Sequence, residues 1–318
     1  MSVLTVSDYG FPGGWADATD IGGRSRWYCE QLERGEILYF LQPPFPLPTE
    51  DREFLLGLRS TLSSVHKNIS YRPASGVLGG FPARDPQFAR LAGILGTYSA
   101  QVISFLGDFL RPYSQRRFLD YASFRPIEEE GRSLPLHKRN DLLHVDAFPS
   151  RPTHGGRILR VFTNIHASRS RVWATTDRFP VLATNLAQKA GLKSFAARGD
   201  SLGSRLRRVL HQTGLPVPDR SPYDSFMLRF HDYLKEDSAF QANCQKVRTE
   251  FPPMSTWLVF TDGVPHAVLA GQHALEQTFI IPVDVLVCPG EAPIRVLESL
   301  CGRALAEPLR GRGQSNAQ

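Results

Sequence analysis

Three residues of metal-binding type, His144, Asp146 and His266, carry the most specific chemistry in this sequence. Imidazole nitrogens and a carboxylate oxygen together make a donor set that suits ferrous iron. In a strand, residues i and i+2 leave the same face, so His144 and Asp146 converge while Val145 turns away. His266 opens a later strand-like run, directly after the turn Asp262-Gly263-Val264-Pro265. Two histidines and one carboxylate on one side of an ion leave its other positions open for oxygen and a co-substrate. That arrangement implies a non-haem Fe(II) oxygenase, although zinc accepts the same donors. His-x-Asp alone is weak: with 31 acids in 318 residues, nine histidines give about one such pair by chance. The chemistry therefore rests on all three residues together.

Such an oxygenase also needs a cation for a dicarboxylate co-substrate. Alternation along Arg157 to Ile165 places Arg160, Phe162 and Asn164 on one face. A buried arginine requires an anion, and the distal carboxylate of 2-oxoglutarate would supply one through a bidentate grip. Other cationic candidates for an anionic substrate are Arg125, Arg151, Arg157, Lys67 and Arg72. The stretch Leu202 to Gln212 is apolar at Leu202, Leu206, Val209 and Leu210 and basic between them, which suits an acidic membrane surface.

These side chains need a scaffold, and the composition allows one. The chain is 42% hydrophobic with a formal charge of +6, values that favour a folded protein with an anionic partner. No nucleic-acid-binding signature is present, so that partner class is not expected. The polar N-terminus lacks a secretory layout, and four scattered cysteines suggest neither disulfides nor a zinc finger, which points to the cytoplasm.

Helical spacing covers Thr49 to Ser64, Asp85 to Leu110, Asp200 to Gln212 and Ser221 to Cys244. Glycines 93, 96 and 107 allow the second of these to be one closely packed helix or two. The last opens with Ser221 as cap, Pro222 at the first helical position and Asp224 three residues after the cap. Strands are expected at Glu36 to Leu41, Asp141 to Asp146, Arg157 to Ile165, Trp257 to Thr261, His266 to Ala270 and Thr278 to Cys288. The pattern predicts an α+β protein with an antiparallel jelly-roll core. One catalytic domain is expected over residues 1–306. It comprises a mixed α/β part at 1–117, a jelly-roll core at 118–290 with a helical insert at about 178–250, and a disordered tail at 307–318.

The stretch from Leu143 to Ile165, with Leu143-His144-Val145-Asp146-Ala147-Phe148-Pro149 at its head, resembles the Kdo hydroxylase family. So do Ser221-Pro222-Tyr223-Asp224-Ser225-Phe226-Met227, Trp257 to Asp262, His266 to Gln272 and Ala274 to Phe279. The resemblance implies a double-stranded β-helix and dependence on Fe(II), 2-oxoglutarate and O2. It further implies hydroxylation of 3-deoxy-D-manno-oct-2-ulosonic acid (Kdo) at C3 within Kdo–lipid A, giving Ko. His144, Asp146 and His266 match the family's iron ligands. Many enzymes of the wider superfamily carry an arginine about ten residues after the distal histidine, where Glu276 and Gln277 stand here. The co-substrate grip is accordingly expected from Arg160, with Asn164 and Gln277 beside it. Asn140 or Asp141 is expected to orient the metal ligands. The glycolipid partner implies contact with the cytoplasmic face of the inner membrane.

Two other readings compete. Gly199-Asp200-Ser201-Leu202 spells a hydrolase serine motif, with Ser201 as nucleophile. The one well-formed Asp-x-x-His, Asp141 to His144, lies upstream in the wrong order, and Ser201 also suits a helix start. The other reading is a non-catalytic barrel that binds an anionic glycolipid.

Overall fold

The computed structural model describes residues 2–10, 14–15, 19–58, 68–198 and 219–306. The N-terminal part contains β1 (Val3–Thr5), α1 (Ile21–Glu33), β2 (Ile37–Phe40), α2 (Thr49–Gly57), β3 (Ile69–Arg72), β4 (Val77–Gly79), α3 (Phe88–Phe109) and α4 (Arg111–Ser114). Next come β5 (Phe118–Arg125), β6 (Arg157–Asn164) and β7 (Arg171–Thr175), followed by α5 (Phe179–Leu186), α6 (Leu192–Arg198), α7 (Pro222–Glu236) and α8 (Ser238–Asn243). The chain returns through β8 (Val247–Phe251), β9 (Thr256–Phe260), β10 (His266–Ala270) and β11 (Ala274–Ile281) to α9 (Pro293–Cys301).

Two sheets face each other. The larger runs β1-β2-β9-β6-β11-β5-β3-β4 and the smaller runs β10-β7-β8. Apart from the parallel β1–β2 pair, the strand pairings are antiparallel. This is the jelly-roll core expected from the sequence, extended at both edges of the larger sheet by N-terminal strands.

Period-two alternation sorts the side chains of β6. Leu159 and Val161 join the outer core, where Leu95, Tyr98, Val102 and Phe105 of α3 cover the larger sheet. Phe162 turns inward to Trp173, Phe251, Trp257, Val259 and Val268, which fill one half of the barrel. Arg160 shares that inward face, opposite Thr278 and Val259 in the flanking strands. The outer core is continuous from Val6 and Leu32 through Leu159 to Phe226 and Leu297, so N-terminal part, barrel and helical insert share one apolar cluster.

Several local expectations need correction. Asp141–Asp146 is extended but forms no regular strand; its pairing is an isolated bridge between His144 and His266. The strand expected at Thr278–Cys288 starts earlier, at Ala274, and ends before Pro282, which has no N–H for the ladder. Of the two arrangements left open for the glycine-containing stretch before Leu110, the single closely packed helix is present, and Gly96 sits where a Cβ would lie 3.1 Å from the Tyr71 hydroxyl. Ser221–Cys244 breaks at Asp237, which ends α7 and caps α8 through a 2.9 Å bond from Phe240 N–H. The expected helix at Asp200–Gln212, Ser201 itself, the end of the Thr49–Ser64 helix, Lys67 and the tail at 307–318 lie outside the described residues.

The capping box of α7 is present as its sequence suggested. Asp224 accepts from Ser221 N–H at 3.1 Å and also from the N–H groups of Thr153 and His154, at 2.8 and 3.1 Å. One buried carboxylate thus fastens the helix to the loop that leads from Asp146 into β6. Asp224→Ala strands these donors and should destabilise the fold by about 3 kcal/mol. Urea unfolding checks this, and an unaltered midpoint would remove Asp224 from that role.

Candidate metal centre

Segment Asn140–Asp146 lies along the free edge of β10. His144 N–H donates to the His266 carbonyl at 3.1 Å and His266 N–H returns the bond at 2.9 Å. Val268 N–H to the Asn140 carbonyl (2.8 Å) and Asp146 N–H to the Thr261 carbonyl (2.9 Å) fix the two ends. The alternation expected of a strand therefore survives without a full ladder: Leu143 and Val145 are wholly buried in apolar clusters, while His144 and Asp146 face the barrel.

Among the described residues, His144, Asp146 and His266 form the group able to hold a metal, with donor atoms within 4.8 Å of one another. His144 Nε2 lies 3.8 Å from Asp146 Oδ1. The Nδ1 atoms of His144 and His266 contact the carbonyls of Leu142 and Val264 at 2.7 and 2.8 Å. Carbonyls only accept, so each Nδ1 carries a proton and each Nε2 presents a lone pair. Trp173 stacks on His266 with centroids 4.9 Å apart and fixes its ring plane.

Electrostatics favours the metal-ready protonation states. Burial, then His266 and His231, push His144 well below the usual imidazole range, and burial lowers His266 as well. Burial pushes Asp146 upward, but Arg160 and the two imidazoles outweigh it and hold the carboxyl below its usual range. Two neutral imidazoles and one carboxylate fit a divalent first-row ion.

These donors open onto a cavity of about 570 Å³. Its described lining includes six cationic side chains, Arg125, Arg132, Lys138, Arg160, Arg171 and Lys235, against one carboxylate, Asp146. Arg160 bridges two acids, with Nη2 3.1 Å from Asp146 Oδ2 and Nη1 2.9 Å from Glu276 Oε1. Arg125 pairs with the other oxygen of Glu276. Arg171 is less well matched. It is 1% exposed, donates to the Gly271 carbonyl at 3.1 Å, approaches Glu129 only to 3.7 Å, and has no hydrogen-bond partner at Nε. Burial and the nearby Arg125 charge pull its pKa down to about 10. A cation so placed fits a dicarboxylate in the cavity.

Other expected site residues lie elsewhere. Asn164 bonds the carbonyls of Arg169 and Phe251 and the N–H of His166, which ties loops together outside the cavity. Gln277 shares its face with Val161, toward the outer core, and donates to the Asp120 and Thr278 carbonyls. Arg157 is buried in a 2.9 Å pair with Asp262 and lies over Phe260, so it faces no ligand. Arg151 pairs with Asp120 between the Phe148 and Tyr121 rings, and Arg72 is exposed beside Tyr121. Neither Asn140 nor Asp141 orients a ligand. Asn140 bonds Glu129, Asp141 pairs with Arg139, and backbone carbonyls orient the histidines. Arg132, Lys138, Arg171, Trp173, His231 and Lys235 also line the cavity and were not among the residues expected from the sequence. The alternation Arg171-x-Trp173 and the one-turn spacing of His231 and Lys235 are the signals that could have found four of them.

The family model for 3-deoxy-D-manno-oct-2-ulosonic acid (Kdo) hydroxylase matches residues 16–304. The chain belongs to the Kdo hydroxylase family. Its fold is similar to that of the Kdo hydroxylase KdoO, a non-haem Fe(II) α-ketoglutarate-dependent dioxygenase, in complex with α-ketoglutarate and Fe(III). That likeness has a TM-score of 0.82 and 34% identity, over 98% of this chain and 100% of that one. The apo form of KdoO gives the same values. Its cobalt(II) complex matches with a TM-score of 0.80 and 34% identity, over 98% of this chain and 99% of that one. No curated protein sequence matches the chain.

The buried imidazoles of this family member make a pH prediction. Burial holds His144, His231 and His266 below the unfolded imidazole value, and burial with His166 takes His273 to about 4. As pH falls through about 6.5, the unfolded chain binds protons that these folded sites refuse. The metal-free protein should therefore lose stability between about pH 7 and pH 5. Urea midpoints recorded in chelator should decline over that window, whereas a flat profile contradicts the burial argument.

Proposed function

We propose that this chain is an Fe(II)- and 2-oxoglutarate-dependent dioxygenase that hydroxylates C3 of a Kdo residue in Kdo–lipid A, giving Ko. One observation carries the reading: an open His-Asp-His donor set faces a cavity with six cations and one acid in its described lining. Glu276 and Glu129 behind the wall balance part of that charge, and the excess that remains is the complement that two carboxylates, Kdo and 2-oxoglutarate, need.

His144, Asp146 and His266 would hold the iron. Bound iron and 2-oxoglutarate supply the oxygen activation, with succinate and carbon dioxide as by-products. Arg171, with Arg125 beside it, would meet the distal carboxylate of the co-substrate, a role the sequence had suggested for Arg160. Arg160 instead draws Asp146 Oδ2 toward itself and leaves Oδ1 near His144. Phe162, Trp173 and Val268 form the apolar part of the wall and limit water at the reacting carbon. The esterase alternative loses its histidine as well as its order, because His144 is committed to the metal group.

Succinate release from 2-oxoglutarate should rise on addition of Kdo–lipid A and match the Ko formed. His144→Ala and Asp146→Ala should bring coupled turnover below detection, and Arg171→Met should raise KM for 2-oxoglutarate about tenfold to a hundredfold. No succinate from the iron-loaded wild type would leave only a glycolipid-binding barrel.

The same reading places the enzyme on the cytoplasmic face of the inner membrane, supported by a formal charge of +6 and a lipid-anchored substrate. The chain should co-sediment with anionic vesicles and be released by salt. Equal recovery with neutral vesicles argues against an electrostatic membrane contact.

A further inference from the structure

We propose that His231 and Lys235 form a clamp for the sugar acid, Lys235 on its carboxylate and His231 on the hydroxyl across the reacting carbon. The inference rests on the function proposed above and assigns two residues to the sugar.

His231 and Lys235 are one helical turn apart on α7 and both line the cavity beside the metal group. Each is steadied by one backbone carbonyl. His231 Nδ1 donates to Val145 at 2.7 Å, and Lys235 Nζ donates to His137 at 2.9 Å. The remaining valences are unused by the protein: among the described residues nothing is hydrogen-bonded to His231 Nε2, and no ion pair holds Lys235. With Nδ1 protonated, His231 Nε2 is an acceptor. The ring itself lies against the donor group, because it meets the His144 ring edge-on with centroids 4.9 Å apart.

Lys235 is 4% exposed. A buried ammonium without a paired carboxylate is unfavourable unless an anion arrives with the substrate. Burial lowers its pKa to about 8, while Asp146, Asp232 and Asp141 favour its charged form from a distance, so it is mostly protonated at neutral pH. The helix that carries both side chains is tied through Asp224 to the loop following Asp146, which fixes its place relative to the donor group.

The substrate has the complementary pattern. In Kdo the carboxylate is attached to C2 and a hydroxyl to C4, so the two groups flank C3. A cation and an acceptor on one helix face therefore fix the sugar at both neighbours of the carbon to be hydroxylated. That double hold selects C3 over other carbons.

The test compares Kdo–lipid A with its carboxyl methyl ester, using wild-type, Lys235→Met and Lys235→Arg forms of the full chain. Wild type should prefer the acid by about tenfold or more in kcat/KM. Lys235→Met should erase that preference through KM for the glycolipid, and Lys235→Arg should restore part of it. Lys235→Gln serves instead if the methionine variant does not fold. His231→Phe should lower the Ko formed per succinate, because a loosely held sugar misses the oxidant. A wild type that does not distinguish acid from ester, or a methionine or glutamine variant that still does, overturns the Lys235 assignment. Unaltered coupling in His231→Phe overturns the other half. If wild type makes succinate with neither glycolipid, the proposed function fails, not the clamp.

Discussion

The reciprocal backbone bonds between His144 and His266 are the constraint on which the site depends. Two histidines far apart in sequence become neighbours because their own main-chain groups pair. That pairing sets the ring spacing, and carbonyls two residues before each histidine then set the tautomer. Asp146 joins by a further backbone bond to Thr261, one pleat along. Each member of the donor set is thereby held by main-chain bonds of its own.

A second layer is electrostatic. Asp146, Arg160, Glu276 and Arg125 alternate in sign across the barrel, so the Asp146 carboxylate is the end of a charge chain rather than an isolated acid. The far half of the barrel is apolar, with Phe251 stacked on Trp257 at 4.0 Å and Trp257 on Phe162 at 5.2 Å. The reactive space is therefore confined between a rigid aromatic plug and a cationic wall. Such confinement suits an enzyme that must keep a strong oxidant away from its own backbone.

Much of this was legible in the sequence, for identifiable reasons. Period-two alternation placed Arg160 and Phe162 on the inward face, and a capping box located the start of α7. The jelly-roll and the metal residues followed from strand pattern and family likeness. Residues whose role depends on register were less legible. Gln277 lies one position from the inward-facing Glu276, and a shift of one residue reverses the face. Arg157 has the composition of a ligand residue, yet its buried partner Asp262 stands over a hundred residues away. Asn164 was placed on the correct face, but loop carbonyls that no local pattern announces occupy its amide.

The stacking of Trp173 on His266 has an optical consequence. An indole whose ring lies against a metal-ligating imidazole has its excited state within a few ångströms of any ion bound there. An open-shell ion such as iron(II) or cobalt(II) drains that excited state efficiently, whereas closed-shell zinc does not. Of the four tryptophans, Trp173 is the one stacked on a member of the metal group. Trp173 would therefore report by its fluorescence whether an open-shell or a closed-shell ion occupies the group, through the same contact that fixes the His266 ring.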